Sequence, residues 1–236
     1  PSDAKGKQLV VISETVKSSD LQDRLKSIPV GVLAMDPVVW SAMGMTGSAW
    51  GRQIGDVPDG RSVTIVPSSS ELVGGLSGTI TTNALATKYE WGEPSASALI
   101  GARLVPSGKP AVFAYEAGVA MVAGNAPARR VGHFAGGTAA SSFTPGGWTL
   151  FDAVALWAAK PGATLVVENA AAARSSDQRL KRWLEELGFQ TAMITPSQLA
   201  ASTTSRAAIV VISESVVSST LPTWLRDVGV PLLTME

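Results

Sequence analysis

The chain has 236 residues, 45% of them hydrophobic, which is enough to bury the core of one large domain or two small ones. Its 19 basic and 19 acidic residues cancel and no segment concentrates lysine or arginine, so we expect no nucleic-acid partner. The absence of cysteine excludes disulfides and thiolate nucleophiles, the single histidine argues against a histidine-based metal site, and no apolar run is long enough for a membrane span.

The first part of the chain begins with two short apolar strands, predicted at 8–13 and 30–35 and joined by a helix. A glycine-rich region follows, with further strands predicted at 62–66, 98–104, 111–115, 119–122 and 130–134. The close spacing of the last three indicates an antiparallel edge. Pro145-Gly146-Gly147 then opens an amphipathic helix whose apolar side carries Trp148, Phe151, Val154, Ala155 and Trp157.

After the Lys160-Pro161-Gly162 step, strands predicted at 164–168, 189–195 and 207–213 alternate with helices. The first helix starts at Ser175, where Gln178 three residues later completes a capping box. Pro222 begins a second helix, and a strand ends the chain. Strands that alternate with short helices predict βαβ units, so the expected fold class is α/β with a mostly parallel sheet and an antiparallel edge.

The chain repeats itself at an offset of 200 residues. Residues 7–36 and 207–236 align without a gap, and 13 of the 30 positions are identical. Apolar strands resemble one another by chance, but Ser13-Glu14 and Ser213-Glu214 lie outside the strands. We therefore interpret the two segments as equivalent parts of a duplicated unit, which makes the chain look like a piece excised from a tandem repeat.

Several motifs carry a resemblance to a known family. They are Val-Val-Ile-Ser-Glu at 10–14, Met-Asp-Pro at 35–37, Phe-Ala-Tyr-Glu at 113–116 and Pro-Ala-Arg-Arg-Val-Gly at 127–132. In this order they resemble a domain repeated in large secreted bacterial proteins, which is similar to the class I glutamine amidotransferase-like superfamily and its trehalose-utilisation branch. The resemblance implies a flavodoxin-like three-layer sandwich. Together with the offset of 200 residues, it predicts that residues 1–160 are the C-terminal major part of one repeat and residues 163–236 the N-terminal part of the next.

The resemblance argues against the activity of that superfamily. In its catalytic members a nucleophilic cysteine follows a strand at a tight turn, and a histidine and an acid come later in the fold. Here the strand at 30–35 runs into Asp36, and its counterpart runs into Glu236, so a carboxylate stands at the nucleophile position. Without a thiol the amidotransferase reaction does not operate.

Candidate site residues follow the parallel strands. Ser13, Glu14 and Asp36 should lie at the carboxyl end of the sheet, where open α/β folds bind ligands. The alternative is structural: Ser13 and Ser19 cap a helix, and Glu14 favours its positive end. His133 is a candidate general base for Ser13, against the alternative of a packed histidine.

Two further sets of residues are candidates for ligand binding. An ion pair between Glu116 and Arg130 could hold a sheet edge or bind an anionic ligand. Trp40, Trp50 and Trp91 are candidate platforms for a glycan, whereas Trp148, Trp157, Trp183 and Trp224 fall on helical core stripes. The glycine pairs form no nucleotide-binding fingerprint, and we expect neither a cofactor nor a metal.

The leading functional hypothesis is a non-catalytic structural or interaction module of a tandem-repeat protein at the cell surface or outside the cell. The low charged fraction, 16%, favours that location. The alternatives are a degenerate hydrolase that uses the strand-end acids and a carbohydrate-binding module. Two modes of assembly are open: residues 163–200 fold back on their own chain, or residues 163–236 complete the 37–160 region of a neighbour by displacing its residues 7–36. The second mode is a head-to-tail exchange that propagates into a filament.

Overall fold

The computed structural model describes residues 4, 7–21, 24–69, 71–204 and 207–235. The chain divides into two compact units, Pro1–Ala159 and Lys160–Glu236, which we call unit 1 and unit 2. The predicted α/β class is confirmed: unit 1 contains a mixed seven-stranded sheet, and unit 2 a separate four-stranded sheet. None of the helices in the described ranges is long and apolar enough to cross a membrane.

The part of unit 1 that the structure describes contains nine strands. They are β1 (Leu9–Ile12), β2 (Gly31–Ala34), β3 (Ile54–Gly60), β4 (Ser62–Ile65), β5 (Thr79–Thr81), β6 (Thr87–Gly92), β7 (Leu99–Leu104), β8 (Pro110–Tyr115) and β9 (Arg130–His133). The large sheet has the order β1-β2-β9-β8-β7-β4-β5, and β3 pairs with β6 in a separate antiparallel sheet. β1, β2 and β9 are parallel, while β8, β7, β4 and β5 continue the sheet in antiparallel pairs.

The helices of unit 1 are α1 (Ser18–Leu21), α2 (Pro37–Ala42) and α3 (Pro145–Ala159), with 3-10 turns at Pro67–Ser69 and Ala139–Ser142. The helix predicted from Pro145 is confirmed as α3. It packs Leu150, Val154 and Trp157 into one core that includes Leu33 of β2. A second core, centred on Trp40 of α2, lies against Val32 and Phe113. The sheet is therefore covered on both faces, which explains why all six residues of β8 are buried.

Unit 1 differs from the sequence predictions in several details. The strand predicted at 119–122 is wrong, because Ala120 forms only an isolated bridge with Asn125. The antiparallel edge lies at β7, β4 and β5, since β9 pairs with β2 in parallel and so places β8 inside the sheet. β3 escaped prediction because its sequence, IGDVPDG, contains a proline and two glycines, which are rare inside strands.

Unit 2 is an all-parallel sheet in which β10 (Gly162–Val166), β11 (Gln190–Ile194), β12 (Ile209–Ile212) and β13 (Leu232–Thr234) have the order β11-β10-β12-β13. Its helices are α4 (Ser175–Glu186) and α5 (Ala201–Thr204), with 3-10 turns at Pro196–Gln198, Ser218–Thr220 and Thr223–Asp227. The helix predicted after Pro222 is thus a 3-10 turn. The cap predicted for α4 is also wrong: Arg174 is the N-cap, and its backbone N–H donates to Asp177 at 3.2 Å.

Residues 7–36 and 207–236 have the same strand pairing in both units, within the described ranges. β1 pairs with β2 as β12 pairs with β13, with Val11 opposite Leu33 and Val211 opposite Leu233. The turn after each strand is closed by a backbone hydrogen bond of 3.1 Å, from Val16 to Ser13 in unit 1 and from Val216 to Ser213 in unit 2. The two segments therefore share the strand pair and the turn after the first strand, and they differ in the helical residues between the strands, which are α1 in unit 1 and 3-10 turns in unit 2.

Candidate functional site

The carboxyl end of β1 carries an ion pair that reaches a distant strand. Glu14 follows β1, and its Oε1 lies 2.7 Å from the Nζ of Lys88 on β6. Its Oε2 accepts a hydrogen bond of 2.8 Å from the backbone N–H of Gly137. The hydrogen bond from Lys88, with that from Gly137, lowers the pKa of Glu14 below its usual range even though partial burial opposes this shift. Both carboxylate oxygens are therefore engaged in contacts that tie β1 to β6 and to the loop after β9.

Lys88 also contacts a second, more deeply buried carboxyl group. Its Nζ lies 2.9 Å from Oε1 of Glu90, whose side chain is 1% exposed. Burial raises the pKa of Glu90 to about 7, and its Oε2 has no hydrogen-bond partner among the described residues. Burial opposes the charge of Lys88, but its hydrogen bonds to the two carboxylates prevail and raise its pKa above the ordinary value. Sequence reasoning missed both residues, because Lys88 and Glu90 alternate with buried aromatics in a strand that was not predicted.

Gly136 makes the close packing of this cluster possible. A Cβ atom at this position would lie 2.7 Å from Oε1 of Glu90, closer than real Cβ contacts allow. The loop after β9 thus passes directly over the carboxyl group, and Gly137 beyond it, at φ +50°, binds Glu14. We call Glu14, Lys88, Glu90 and the Gly136-Gly137 backbone the strand-end cluster.

Asp36 caps a helix. Its Oδ1 accepts hydrogen bonds from the backbone N–H groups of Val38, at 2.6 Å, and Val39, at 3.4 Å, at the start of α2. Burial raises the pKa of Asp36, and these two hydrogen bonds oppose that shift. Asp36 therefore has a local structural task. Its counterpart Glu236 lies outside the described residues.

Ser13 and His133 are not joined in the described part of the structure. The Oγ of Ser13 lies 3.0 Å from Oγ1 of Thr15, and the Nδ1 of His133 accepts a hydrogen bond of 3.2 Å from the backbone N–H of Ala135. The imidazole is fully buried and stacks on Phe134 with ring centroids 4.3 Å apart. Burial lowers the pKa of His133 to about 3, so the ring is neutral at physiological pH. These contacts favour the packed histidine over the general base.

The carboxylate of Glu116 pairs with Arg129 instead of Arg130. Arg129 donates to it from Nε at 2.9 Å and from Nη2 at 3.1 Å, and its guanidinium lies 4.1 Å from the centroid of the Trp157 ring. Arg130 is fully buried and donates to the backbone oxygens of Val30 and Ile28, each at 2.8 Å. The predicted pair is wrong because β9 turns these neighbouring arginines to opposite faces of the sheet.

The tryptophan predictions also need correction. Trp40 is fully buried and Trp91 is 6% exposed, so neither offers a surface for stacking a sugar. Trp50 is 58% exposed and is the remaining platform of the three proposed. Trp148 and Trp183, which the helical pattern placed in a core, are 46% and 48% exposed.

In unit 2 the equivalent strand end is organised around an aspartate. Asp177, in the first turn of α4, accepts hydrogen bonds from the hydroxyls of Ser213 and Ser215, the second at 3.2 Å. All three side chains are buried. A groove of about 430 Å³ lies beside them and is lined by Leu180, Trp183, Glu214 and Met235, among others. The sequence signal for Asp177 was its place three residues after the N-cap, where acidic side chains bind backbone N–H groups.

Within the described ranges, no three histidine or carboxylate side chains converge in a way that could hold a metal ion. No family model, no curated protein and no solved structure matches the chain. The assignment of a function therefore depends on the geometry of the two units.

Proposed function

We propose that the chain is a non-catalytic structural and interaction module that associates with copies of itself by exchange of segments. One observation carries this proposal: Val11 is 47% exposed, whereas its counterpart Val211 is fully buried. Val211 packs with Leu165 of β10 and Leu184 of α4 in one core. β1 lies at the end of its sheet, and among the described strands it pairs only with β2.

The exposed edge of β1 therefore has the chemistry of an interface. A strand edge presents unpaired backbone N–H and C=O groups and readily adds another strand. Covering the exposed half of Val11 would contribute about 1 kcal/mol, by comparison with 1.5–3 kcal/mol for complete burial of such a side chain. In unit 2 the corresponding strand, β12, pairs with β10, and its Val211 is covered by α4.

The contacts of the candidate catalytic residues favour a structural task. Glu14 binds Lys88 and Gly137, Asp36 caps α2, and His133 is packed among aromatic rings. A nucleophile and its base need direct or water-bridged contact in a productive geometry. The strand-end contacts instead join β1, β6 and the loop after β9.

The resemblance to repeated domains of secreted bacterial proteins fits this proposal. A flavodoxin-like three-layer sandwich of the amidotransferase-like kind would arise if the strands of both units belonged to one sheet of a larger repeat. We further propose that the parent is a tandem-repeat protein at the cell surface or outside the cell, in which such modules form filaments.

Light scattering over a wide range of protein concentration tests the proposal. Self-association that increases with concentration, and that is reduced by Val11→Lys, is expected. The matched control is Val38→Lys, because Val38 is 44% exposed but belongs to α2 and not to a strand. A compact monomer at every concentration would refute self-association.

A second candidate, a degenerate hydrolase, is favoured by Glu90 alone, whose buried carboxyl group holds a proton near neutral pH. A panel of ester, glycoside and amide substrates tests it, with Glu90→Gln and Asp36→Asn as variants. Turnover in the native chain that either variant abolishes would overturn the non-catalytic proposal. Absence of turnover from the whole panel is the expected result.

A further inference from the structure

We infer that residues 9–15 form a docking site for residues 162–194 of a second copy of this chain. Residues 162–194 comprise β10, α4 and β11, and we call them the donor segment. The inference rests on the proposed self-association and goes further, because it names the docking element, its partner and the register between them.

Unit 2 shows how the donor segment binds its own strand. β10 pairs in parallel with β12 and sets Ala163, Thr164, Leu165 and Val166 opposite Ile209, Val210, Val211 and Ile212. Backbone hydrogen bonds extend the pairing at both ends, from Ala208 to Gly162 at 2.8 Å and from Ser213 to Val166 at 3.0 Å. Asp177 of the donor segment then receives the hydroxyls of Ser213 and Ser215.

β1 presents the same groups in the same arrangement. Its residues LVVI match IVVI of β12, and the offset of 200 predicts that Leu165 pairs with Val11. Ser13 equals Ser213, and Thr15 retains the hydroxyl of Ser215. The turn is already formed in unit 1, because the backbone N–H of Thr15 donates to Ser13 Oγ at 3.3 Å, as Ser215 donates to Ser213 Oγ at 3.2 Å. The site lacks only the carboxylate that Asp177 supplies.

Two differences between the repeats lie at buried positions of β2. Gly31 corresponds to Pro231, and a Cβ atom at Gly31 would lie 2.0 Å from the backbone oxygen of Ala158 at the end of α3. Ala34, which is fully buried, corresponds to the larger and polar Thr234. Unit 2 therefore fits poorly in the place of residues 7–36, and whole-unit displacement is disfavoured. Residues 9–15, which receive the donor segment, are identical to residues 209–215 at five of seven positions.

The docking is an exchange, because both edges of β10 are occupied in unit 2, by β11 and by β12. To reach β1 of another chain, the donor segment leaves β12 of its own. Each chain then has one donor segment and two equivalent acceptors, β1 and β12. Since the acceptors make nearly the same contacts, the exchange is close to balanced, and a donor from one chain on β1 of the next gives a head-to-tail assembly.

Single cysteines in this cysteine-free chain test the register. The backbone N–H of Glu168 donates to Ser215 Oγ at 3.2 Å, so cysteines at residues 168 and 215 lie within reach of a disulfide. The proposed register predicts the same for residue 168 of one chain and residue 15 of another. Thr15→Cys chains and Glu168→Cys chains are unfolded in urea, refolded together and oxidised. We expect a disulfide-linked heterodimer on non-reducing gels, whose fraction rises with concentration. Glu168→Cys with Ser215→Cys in one chain is the positive control and should close internally.

Two further variants make the result specific. A mixture of Thr15→Cys chains and Glu186→Cys chains, in which the second cysteine lies at the far end of α4, should give at least tenfold less heterodimer than the Thr15 and Glu168 pair. Adding Val11→Lys to the Thr15→Cys chain should abolish the heterodimer with Glu168→Cys. Equal cross-linking of the Glu168 and Glu186 pairs would overturn the register. A double variant of Thr15→Cys and Glu168→Cys that closes only within one chain would overturn docking between copies. Self-association seen by light scattering without the heterodimer would refute this inference and leave the proposed function standing.

Discussion

Lys88 and Glu90 form an ion pair of 2.9 Å in which the carboxylate is almost completely buried, at 1% exposure. The pKa of Glu90 is raised from 4.5 to about 7, so the folded chain keeps a proton that the unfolded chain releases between these values. The contribution of Glu90 to stability therefore falls as the pH rises through this window. The free energy needed to bury the Glu90 carboxyl group in the strand-end cluster therefore depends on pH.

Replacement of Glu90 by glutamine should remove this dependence. The amide cannot lose a proton, yet its oxygen can still accept from Lys88. The free energy of unfolding of the variant minus that of the native chain should increase by roughly 3 kcal/mol from pH 4.5 to pH 8. Urea unfolding at the two pH values measures the difference. A constant offset between the variant and the native chain would contradict the raised pKa of Glu90.

His133 should give a pH dependence of opposite sign. Its pKa is lowered from 6.5 to about 3, so the unfolded chain binds a proton below pH 6.5 while the folded chain keeps the ring neutral. Its contribution is present above pH 6.5 and is lost as the pH falls towards 3. The free energy of unfolding of His133→Leu minus that of the native chain should therefore increase by about 2–3 kcal/mol as the pH falls from 7.5 to 4.5. The change with pH is the test, because the substitution also alters packing with Phe134 and Phe151.

Asp36→Ala should destabilise the chain by about 1 kcal/mol through loss of the α2 cap. Asp36→Asn is the matched control, because asparagine caps helices equally well and removes the charge. Thermal unfolding should show a lower midpoint for the alanine variant and little change for the asparagine variant. If both variants lost the same stability, the charge of Asp36 would matter more than the two hydrogen bonds to Val38 and Val39.

The Arg129 side chain should not be replaceable by lysine. Its planar guanidinium binds both oxygens of Glu116 and packs over the Trp157 ring at the end of α3. We expect Arg129→Lys to cost about 2 kcal/mol, with faster hydrogen exchange at the end of α3. Glu116→Gln, which leaves the stacking contact with Trp157 in place, should cost less. Equal losses would assign the whole effect to the ion pair.

The α/β class and most strands could be predicted because they depend on local periodicity. α3 is an example: its apolar residues fall on one face and Pro145 marks its start. The order of strands could not be predicted, since β2 and β9 are about 100 residues apart and nothing local specifies that they pair. β3 was missed because its pairing with β6 overrides a composition typical of loops.

The candidate site was predicted in part for a similar reason. Glu14 could be placed at the carboxyl end of β1 because the ends of parallel strands lie at one edge of a sheet. Lys88 was missed because its contact with Glu14 joins residues 74 positions apart. The error over Glu116 shows the same limit: neighbouring Arg129 and Arg130 point to opposite faces, and the sequence does not say which of them meets the carboxylate.

The near identity of β1 and β12 also affects how the chain folds. A refolding chain meets two suitable partners for β10, and β12 begins 47 residues after the start of β10 whereas β1 begins 153 residues before it. The shorter loop favours β12 by about 1 kcal/mol in closure entropy, only about a fivefold preference. In a concentrated solution, β1 of another molecule also competes with β12 for β10, and loop closure within one chain does not limit this pairing. Fast dilution should therefore give monomers, and slow refolding at high concentration should trap molecules that are joined by the wrong strand.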